Sequence, residues 1–162
     1  MTIDPYSTIG ELGARLRARE ITSLAMTRLY LARLEKHGAE LGAVVTIMRE
    51  HAERRARLAD SELAAGTDRG LLHGIPYGVK DLLATREAKT TWGAEPYREQ
   101  QFDFDATVVE RLDAAGAILC AKLAMVELAG GFGYNQADAS FTGPGRSPWN
   151  LEFWSGGSSS GP

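Results

Sequence analysis

The sequence changes character near residue 70, and this change limits the folds open to the chain. Residues 1–69 repeat apolar side chains at helical spacing between residues that favour helix caps, so they predict amphipathic helices. From Gly70 onward, short apolar stretches alternate with glycine-rich turns and with one further helical segment. We therefore expect an α/β fold with two parts: an N-terminal helical segment over residues 1–69 and an α/β core over residues 70–162.

Caps, β-branched stretches and glycine stops place the individual elements. A strand, a helix and a second strand follow one another after residue 70, which favours parallel neighbours in one sheet. The stretches 130–135, 143–150 and 155–161 predict glycine-rich loops. In chain order, the predicted elements are a helix capped by Ser7 or Thr8, a helix capped by Thr22 or Ser23 and ending at Gly38, a strand over 43–48, a helix over 49–65, a strand and turn over 70–81, a helix from an Asp105 cap to Gly116, and a strand over 117–121.

Charge and composition exclude several classes of function. The chain has 18 basic and 21 acidic side chains, a net charge of -3, and no basic patch of the kind that binds polyanions, so we expect no direct nucleic-acid binding. No apolar run reaches the length of a membrane span, and the N-terminus does not resemble a secretory signal. The single cysteine, Cys120, excludes an intrachain disulfide. We expect a cytoplasmic protein without a membrane association.

Lys80 is the first candidate for chemistry. It lies at the end of an apolar stretch, between Val79 and Asp81. A lysine drawn into a site of low dielectric loses part of its affinity for a proton, and a neutral amine is a usable general base. The alternative is a surface lysine that pairs with Asp81.

The Ser/Gly run over 155–161 is the second candidate. Its three consecutive serines supply hydroxyl groups, whereas a flexible linker is the ordinary interpretation of such a composition. No phosphate-binding glycine motif is present, so nucleotide binding is not favoured. We interpret Cys120 as a core residue, and the histidines show no spacing typical of a metal site. We therefore expect no metal and no organic cofactor.

Several blocks in a fixed order resemble the amidase signature family. The resemblance covers roughly residues 70–162 and is far more specific than any single block. The blocks are Gly74-Ile75-Pro76-Tyr77-Gly78-Val79-Lys80-Asp81, Thr90-Thr91, Asp105-Ala106-Thr107-Val108-Val109-Glu110-Arg111-Leu112, Ala115-Gly116-Ala117 with Lys122, Pro148-Trp149-Asn150, and Gly156-Gly157-Ser158-Ser159-Ser160-Gly161.

The resemblance implies a fold, a site and a mechanism. The expected fold is the N-terminal part of the family's α/β core, a truncated mixed sheet flanked by helices. Family members cleave amides through a Ser–cis-Ser–Lys triad, in which Lys80 matches the lysine and Ser158 the bridging serine at a cis peptide bond. The nucleophilic serine lies in a later Gly-Gly-Ser block, and this sequence ends before it, so we expect the 162-residue chain alone to be inactive. Substrate contacts are expected from Gly131, Phe132 and Gly133, and loop support from Gly156, Gly157, Ser159 and Ser160.

The resemblance leaves three functions open. The first is an amidase that hydrolyses a small-molecule carboxamide. The second is the amidase component, known as the A subunit, of a tRNA-dependent amidotransferase of the glutamyl-tRNA(Gln)/aspartyl-tRNA(Asn) type. That component continues with a Gly-Lys-Thr-Asn block, from which the stretch 121–128 departs, so the hydrolase is favoured. The third is a catalytically inert truncated product. Expected partners are the amide substrate and either a second copy in a homodimer or the amidotransferase partner subunits.

Overall fold

The described part of the chain contains α-helices interspersed with short β-strands. The computed structural model describes residues 2–130 and 140–162. Two single 3₁₀ turns, Glu95–Tyr97 and Glu127–Ala129, lie between the longer elements. Within the described residues the elements are α1 (Ile9–Arg17), α2 (Ser23–Gly38), β1 (Val44–Ile47), α3 (Arg49–Ala64), β2 (Pro76–Lys80), α4 (Thr107–Ala114), β3 (Ile118–Leu123), β4 (Arg146–Ser147) and β5 (Asn150–Trp154).

Three strands form a mixed sheet in the order β1-β3-β2. The pair β1 and β3 is antiparallel, with Val44 opposite Leu123. The pair β2 and β3 runs parallel, because Ile118 N–H donates to Ile75 at one end and Asp81 N–H donates to Leu123 at the other. The prediction of an α/β fold with a mixed sheet and a parallel strand–helix–strand unit is therefore confirmed.

The chain divides into two compact units, each assembled from separate segments. The first comprises Met1–Arg33, Met48–Tyr77 and Thr107–Cys120, and the second comprises Leu34–Ile47, Gly78–Ala106 and Ala121–Pro162. The predicted boundary near residue 70, between a helical segment and an α/β core, stays a prediction. In the first unit, apolar side chains of α1 and α2 form a buried cluster with two isoleucines that lie outside these helices. Its members are Leu12, Leu16, Ile21, Met26 and Ile75.

The helix starts follow their capping residues. Thr8 forms a capping box with Glu11, in which the Thr8 side chain accepts from Glu11 N–H and the Glu11 carboxylate accepts from Thr8 N–H. The Thr22 hydroxyl accepts from Ala25 N–H at 3.0 Å, and α2 then runs from Ser23 to Gly38. These predicted caps are confirmed.

The structure corrects two other predictions. Asp105 does not cap a helix that starts beside it, because α4 begins at Thr107 and the Asp105 carboxylate accepts from Arg86 N–H at 2.7 Å. The predicted loop over 143–150 contains half of a hairpin, in which β4 and β5 pair antiparallel with Arg146 opposite Trp154. Proline and glycine in this stretch favour a turn, so the sequence pattern did not predict the two short strands next to it.

Within residues 2–130 and 140–162, none of the helices has both the length and the apolar character that a bilayer crossing requires.

Candidate active site

Lys80 and Ser158 meet in the second unit. Lys80 is the last residue of β2, and Ser158 lies in the glycine- and serine-rich loop that follows β5. The Lys80 amine, Nζ, donates a hydrogen bond to Ser158 Oγ at 2.8 Å. Both side chains are half-buried. The structure thus brings together the two residues that the sequence singled out from opposite ends of the core, 78 positions apart.

Backbone contacts hold the loop that carries Ser158. The Gly157–Ser158 peptide bond is cis. Val126 N–H donates to the Ser158 carbonyl at 3.0 Å, and Ser160 N–H donates to the Ala124 carbonyl at 3.2 Å. The loop is therefore fastened to the residues that directly follow β3.

The other residues predicted to support this loop occupy distinct positions in it. Gly156 has a φ of 91°, a conformation that favours glycine, and a Cβ atom built on Gly157 would lie 2.7 Å from Val126 Cγ2. Ser159 forms a β-bridge with Met125, and Ser160 is buried with its carbonyl accepting from the Ser155 hydroxyl at 3.0 Å. The predicted substrate-contacting residues Gly131, Phe132 and Gly133 lie outside the described residues.

Burial lowers the pKa of the Lys80 amine below its ordinary value, because removal of water disfavours the ammonium form. The alternative in which Lys80 pairs with Asp81 is wrong, since Asp81 is paired with Lys122: Asp81 Oδ1 lies 3.2 Å from Lys122 Nζ. A neutral amine carries a lone pair. The same 2.8 Å contact then lets the Ser158 hydroxyl donate its proton to the amine, which is the geometry of a general base beside a hydroxyl group.

Cys120 and His73, which were also considered for chemistry, are buried in surroundings that fit a structural role. Burial raises the pKa of the Cys120 thiol to about 12, so the thiolate is not available near neutral pH. His73 is buried, with Nε2 at 3.0 Å from a Glu62 oxygen and Nδ1 accepting from Arg69 N–H at 3.2 Å. In the part of the chain that the structure describes, no cluster of three or more His, Cys, Asp or Glu residues could hold a metal ion.

The sequence did not predict the buried partners of Lys122, which was recognised there only as one position of a motif. Lys122 and Asp81 are both fully buried. A charged side chain in the otherwise apolar strand Ile118–Leu123 was the available signal, because lysine is almost never buried without a partner.

The fold and the site together define an α/β protein in which a half-buried lysine amine contacts a serine hydroxyl. Comparison with known proteins identifies its family. The family model described as Amidase matches residues 25–162. The chain therefore belongs to the amidase family.

Two curated relatives and one solved structure illustrate the similarity. The chain is 40% identical over 95% of its length to the A subunit of glutamyl-tRNA(Gln) amidotransferase from Methylococcus capsulatus. It is 42% identical over 93% of its length to the putative amidase AmiD of Mycobacterium tuberculosis. The native peptide amidase from Stenotrophomonas maltophilia superposes with a TM-score of 0.87, at 33% identity over 97% of this chain.

The chain spans about a third of the length of these proteins: 31% of each curated relative and 33% of the solved chain.

Proposed function

We propose that this sequence belongs to an amidase that hydrolyses the C–N bond of a carboxamide through a Ser–cis-Ser–Lys triad. Lys80 is the base, Ser158 is the bridging serine, and the nucleophile is a serine outside these 162 residues. The observation that carries the proposal is the 2.8 Å contact between Lys80 Nζ and Ser158 Oγ in a chain of the amidase family.

The proton path of the proposed reaction follows from this contact. Neutral Lys80 accepts the hydroxyl proton of Ser158 as Ser158 accepts the proton of the nucleophilic serine. The serine oxygen then bonds to the amide carbon, and backbone N–H groups stabilise the resulting oxyanion. The proton returns along the same path to the leaving amine as the C–N bond breaks. Water then hydrolyses the acyl-enzyme ester and regenerates the serine.

The lowered pKa of Lys80 supports this role, because a base must hold a free lone pair at the working pH. Gly131, Phe132 and Gly133 are proposed to contact the acyl part of the substrate. Gly156, Gly157, Ser159 and Ser160 are proposed to hold Ser158 in place, which agrees with the contacts of this loop to Ala124 and Met125.

The test begins with the coding sequence that follows Pro162 in the gene. An in-frame continuation with a Gly-Gly-Ser block supplies the proposed nucleophile, whereas a stop codon at that point would make the polypeptide inert as an amidase. The 162-residue chain and the longer chain are then assayed against a panel of simple carboxamides. We expect turnover only from the longer chain.

Substitutions in the longer chain test the individual roles. Lys80→Ala and Ser158→Ala are each expected to lower kcat by about a thousand-fold or more, as the loss of a base and its relay does. Lys36→Ala, at an exposed lysine of α2, is the matched control and is expected to keep wild-type turnover. Wild-type turnover in Lys80→Ala would refute the proposed mechanism.

A second function is that of the amidase component of a tRNA-dependent amidotransferase, and the 40% identity to a relative of that name favours it. In that case partner subunits co-purify with the longer chain, and glutaminase activity depends on them. Carboxamide hydrolysis by the purified longer chain alone supports the hydrolase instead.

A further inference from the structure

A pair of charged side chains, Lys122 and Asp81, adjoins Lys80, which Asp81 follows in the chain, and takes no part in the proposed proton path. Lys122 and Asp81 are both fully buried, and Lys122 is the largest such side chain among the described residues. Burial lowers the pKa of Lys122, and the charge of Asp81 opposes this shift. Burial of two charges costs free energy unless nearby polar groups compensate them. The groups that compensate this pair are therefore held in place next to the candidate site.

The pair fastens the loop over residues 81–92 to β3. Asp81 Oδ1 lies 3.2 Å from Lys122 Nζ, and Asp81 Oδ2 accepts from the Thr91 N–H at 3.0 Å and from the Thr91 hydroxyl. Lys122 Nζ also lies within hydrogen-bonding distance of two carbonyls and two hydroxyls of the same loop, which share its three N–H groups with Asp81. These acceptors are the Leu83 carbonyl at 2.8 Å, Thr90 Oγ1 at 2.6 Å, Thr85 Oγ1 at 3.2 Å and the Lys89 carbonyl at 3.4 Å.

The segment that starts at Lys122 holds both partners of the proposed site. On one side, the Leu123 carbonyl accepts from Asp81 N–H at 2.9 Å, directly after Lys80 in the chain. On the other side, Val126 N–H donates to the Ser158 carbonyl at 3.0 Å. Residues 122–126 therefore connect the backbone at Lys80 to the backbone at Ser158.

We propose that Lys122, acting through Asp81, is a positioning residue that holds the Lys80 amine at hydrogen-bonding distance from the Ser158 hydroxyl. Asp81 directly follows Lys80, the last residue of β2, so a fixed Asp81 restrains the backbone from which the Lys80 side chain leaves the strand. The catalytic consequence rests on the proposed function, whereas the geometric claim does not.

Loss of the Lys122 amine leaves the Asp81 carboxylate buried without its cation and releases four acceptors of the 81–92 loop. Thr91 is then the remaining side-chain partner of that carboxylate among the described residues, so Asp81 restrains the backbone next to Lys80 less tightly. We expect the contact between Lys80 and Ser158 to weaken or break, while the distant elements of the chain keep their fold.

The experiment uses the NMR signal of the Lys80 side chain in the 162-residue chain, with isotope-labelled lysine and an assignment from Lys80→Met. In the wild type, Ser158→Ala removes the hydroxyl at 2.8 Å and is expected to shift the Lys80 signal and its titration midpoint. In the Lys122→Met background the same substitution is expected to shift the signal at least about three-fold less, as in a double-mutant cycle whose coupling has been lost. Lys36→Met, at an exposed lysine of α2 outside the 81–92 loop, is the matched control and should preserve the full response.

Two further variants separate positioning from general loss of structure. Asp81→Asn/Lys122→Met removes both charges and avoids an unpaired buried carboxylate. Thr91→Val changes no charge and removes the hydroxyl that donates to Asp81 and accepts from Gly93 N–H at 3.3 Å. It is expected to reduce the response of Lys80 to Ser158→Ala by about two-fold. A full wild-type response in folded Lys122→Met would overturn the proposal, as would a full response in Thr91→Val if Lys122→Met does not fold.

The same variants in a catalytically competent longer chain distinguish the two proposals. Lys122→Met is expected to lower kcat and leave KM nearly unchanged, and Lys122→Arg to recover part of kcat. If Lys80→Ala keeps wild-type turnover, the proposed function fails, although the NMR coupling still decides the positioning role on its own.

Discussion

Gly93 offers a direct test of how tightly the segment after β3 is packed. Gly93 has a φ of 68°, and a Cβ atom built on it would lie 2.8 Å from the Met125 carbonyl oxygen and 3.4 Å from Glu127 Cα. Gly143, in the same unit, has a φ of 76° and meets nothing within 4 Å. Gly93→Ala and Gly143→Ala therefore share the backbone penalty and differ in the collision.

The magnitudes follow from these two features. An L-residue in the left-handed region costs about 1–2 kcal/mol. The smaller entropy of the unfolded chain offsets about 0.4–1 kcal/mol of this. We expect Gly143→Ala to lose about 1 kcal/mol of the free energy of unfolding. The collision of Gly93→Ala is with backbone, so an overpacking cost of about 1–3 kcal/mol adds to that value.

Urea unfolding followed by tryptophan fluorescence measures the difference, because all three tryptophans, Trp92, Trp149 and Trp154, belong to the same unit as both glycines. With a slope of about 1–3 kcal/mol per molar urea, the midpoint of Gly93→Ala should lie about 1 M below that of Gly143→Ala. Equal midpoints for the two variants would refute the close approach of Gly93 to the Met125 carbonyl.

Two further predictions concern titratable groups. Cys120 should react with a thiol reagent at pH 8 only after urea unfolding, because the thiol is buried and its pKa is raised to about 12; rapid stoichiometric labelling of the native chain would contradict this. Burial lowers the pKa of Lys80 below its ordinary 10.5, so between the folded pKa and 10.5 the unfolded chain binds more protons and the free energy of unfolding rises with pH. Lys80→Met should flatten that rise in urea unfolding over this pH range; parallel curves for wild type and Lys80→Met would show the reasoning to be incorrect.

The sequence predicted the features that depend on nearby residues. The Thr8 capping box joins residues three positions apart, and the apolar spacing of α1 and α2 is set by the helical repeat, so both are visible in the sequence. The approach of Lys80 to Ser158 is different, since it joins residues 78 positions apart. It was expected only because the order of the sequence blocks resembled a family, and no spacing rule on its own would have brought the two residues together.

Features that depend on the tertiary neighbours of a residue were not predictable in this way. Asp105 is a residue type that often caps helices, but its carboxylate accepts a hydrogen bond from Arg86 N–H instead. Only the folded loop brings that donor within hydrogen-bonding distance. The β4–β5 hairpin was not predicted, because Pro148 and Gly145 indicate a turn but give no signal for the short strands next to it.

The position of β3 explains why a buried charge can be tolerated beside the candidate site. β3 is the central strand of its sheet, and Leu123 is paired with Val44 on one side while its carbonyl accepts from Asp81 N–H on the other. A strand that is hydrogen-bonded on both edges cannot change its register to accommodate a substituted side chain. A substitution at Lys122 is therefore expected to displace the 81–92 loop and the backbone next to Lys80. The same restraint keeps two hydroxyls, two carbonyls and one carboxylate in place around the Lys122 amine. A fixed set of partners of this kind is needed to offset the free-energy cost of removing water from a fully buried ammonium.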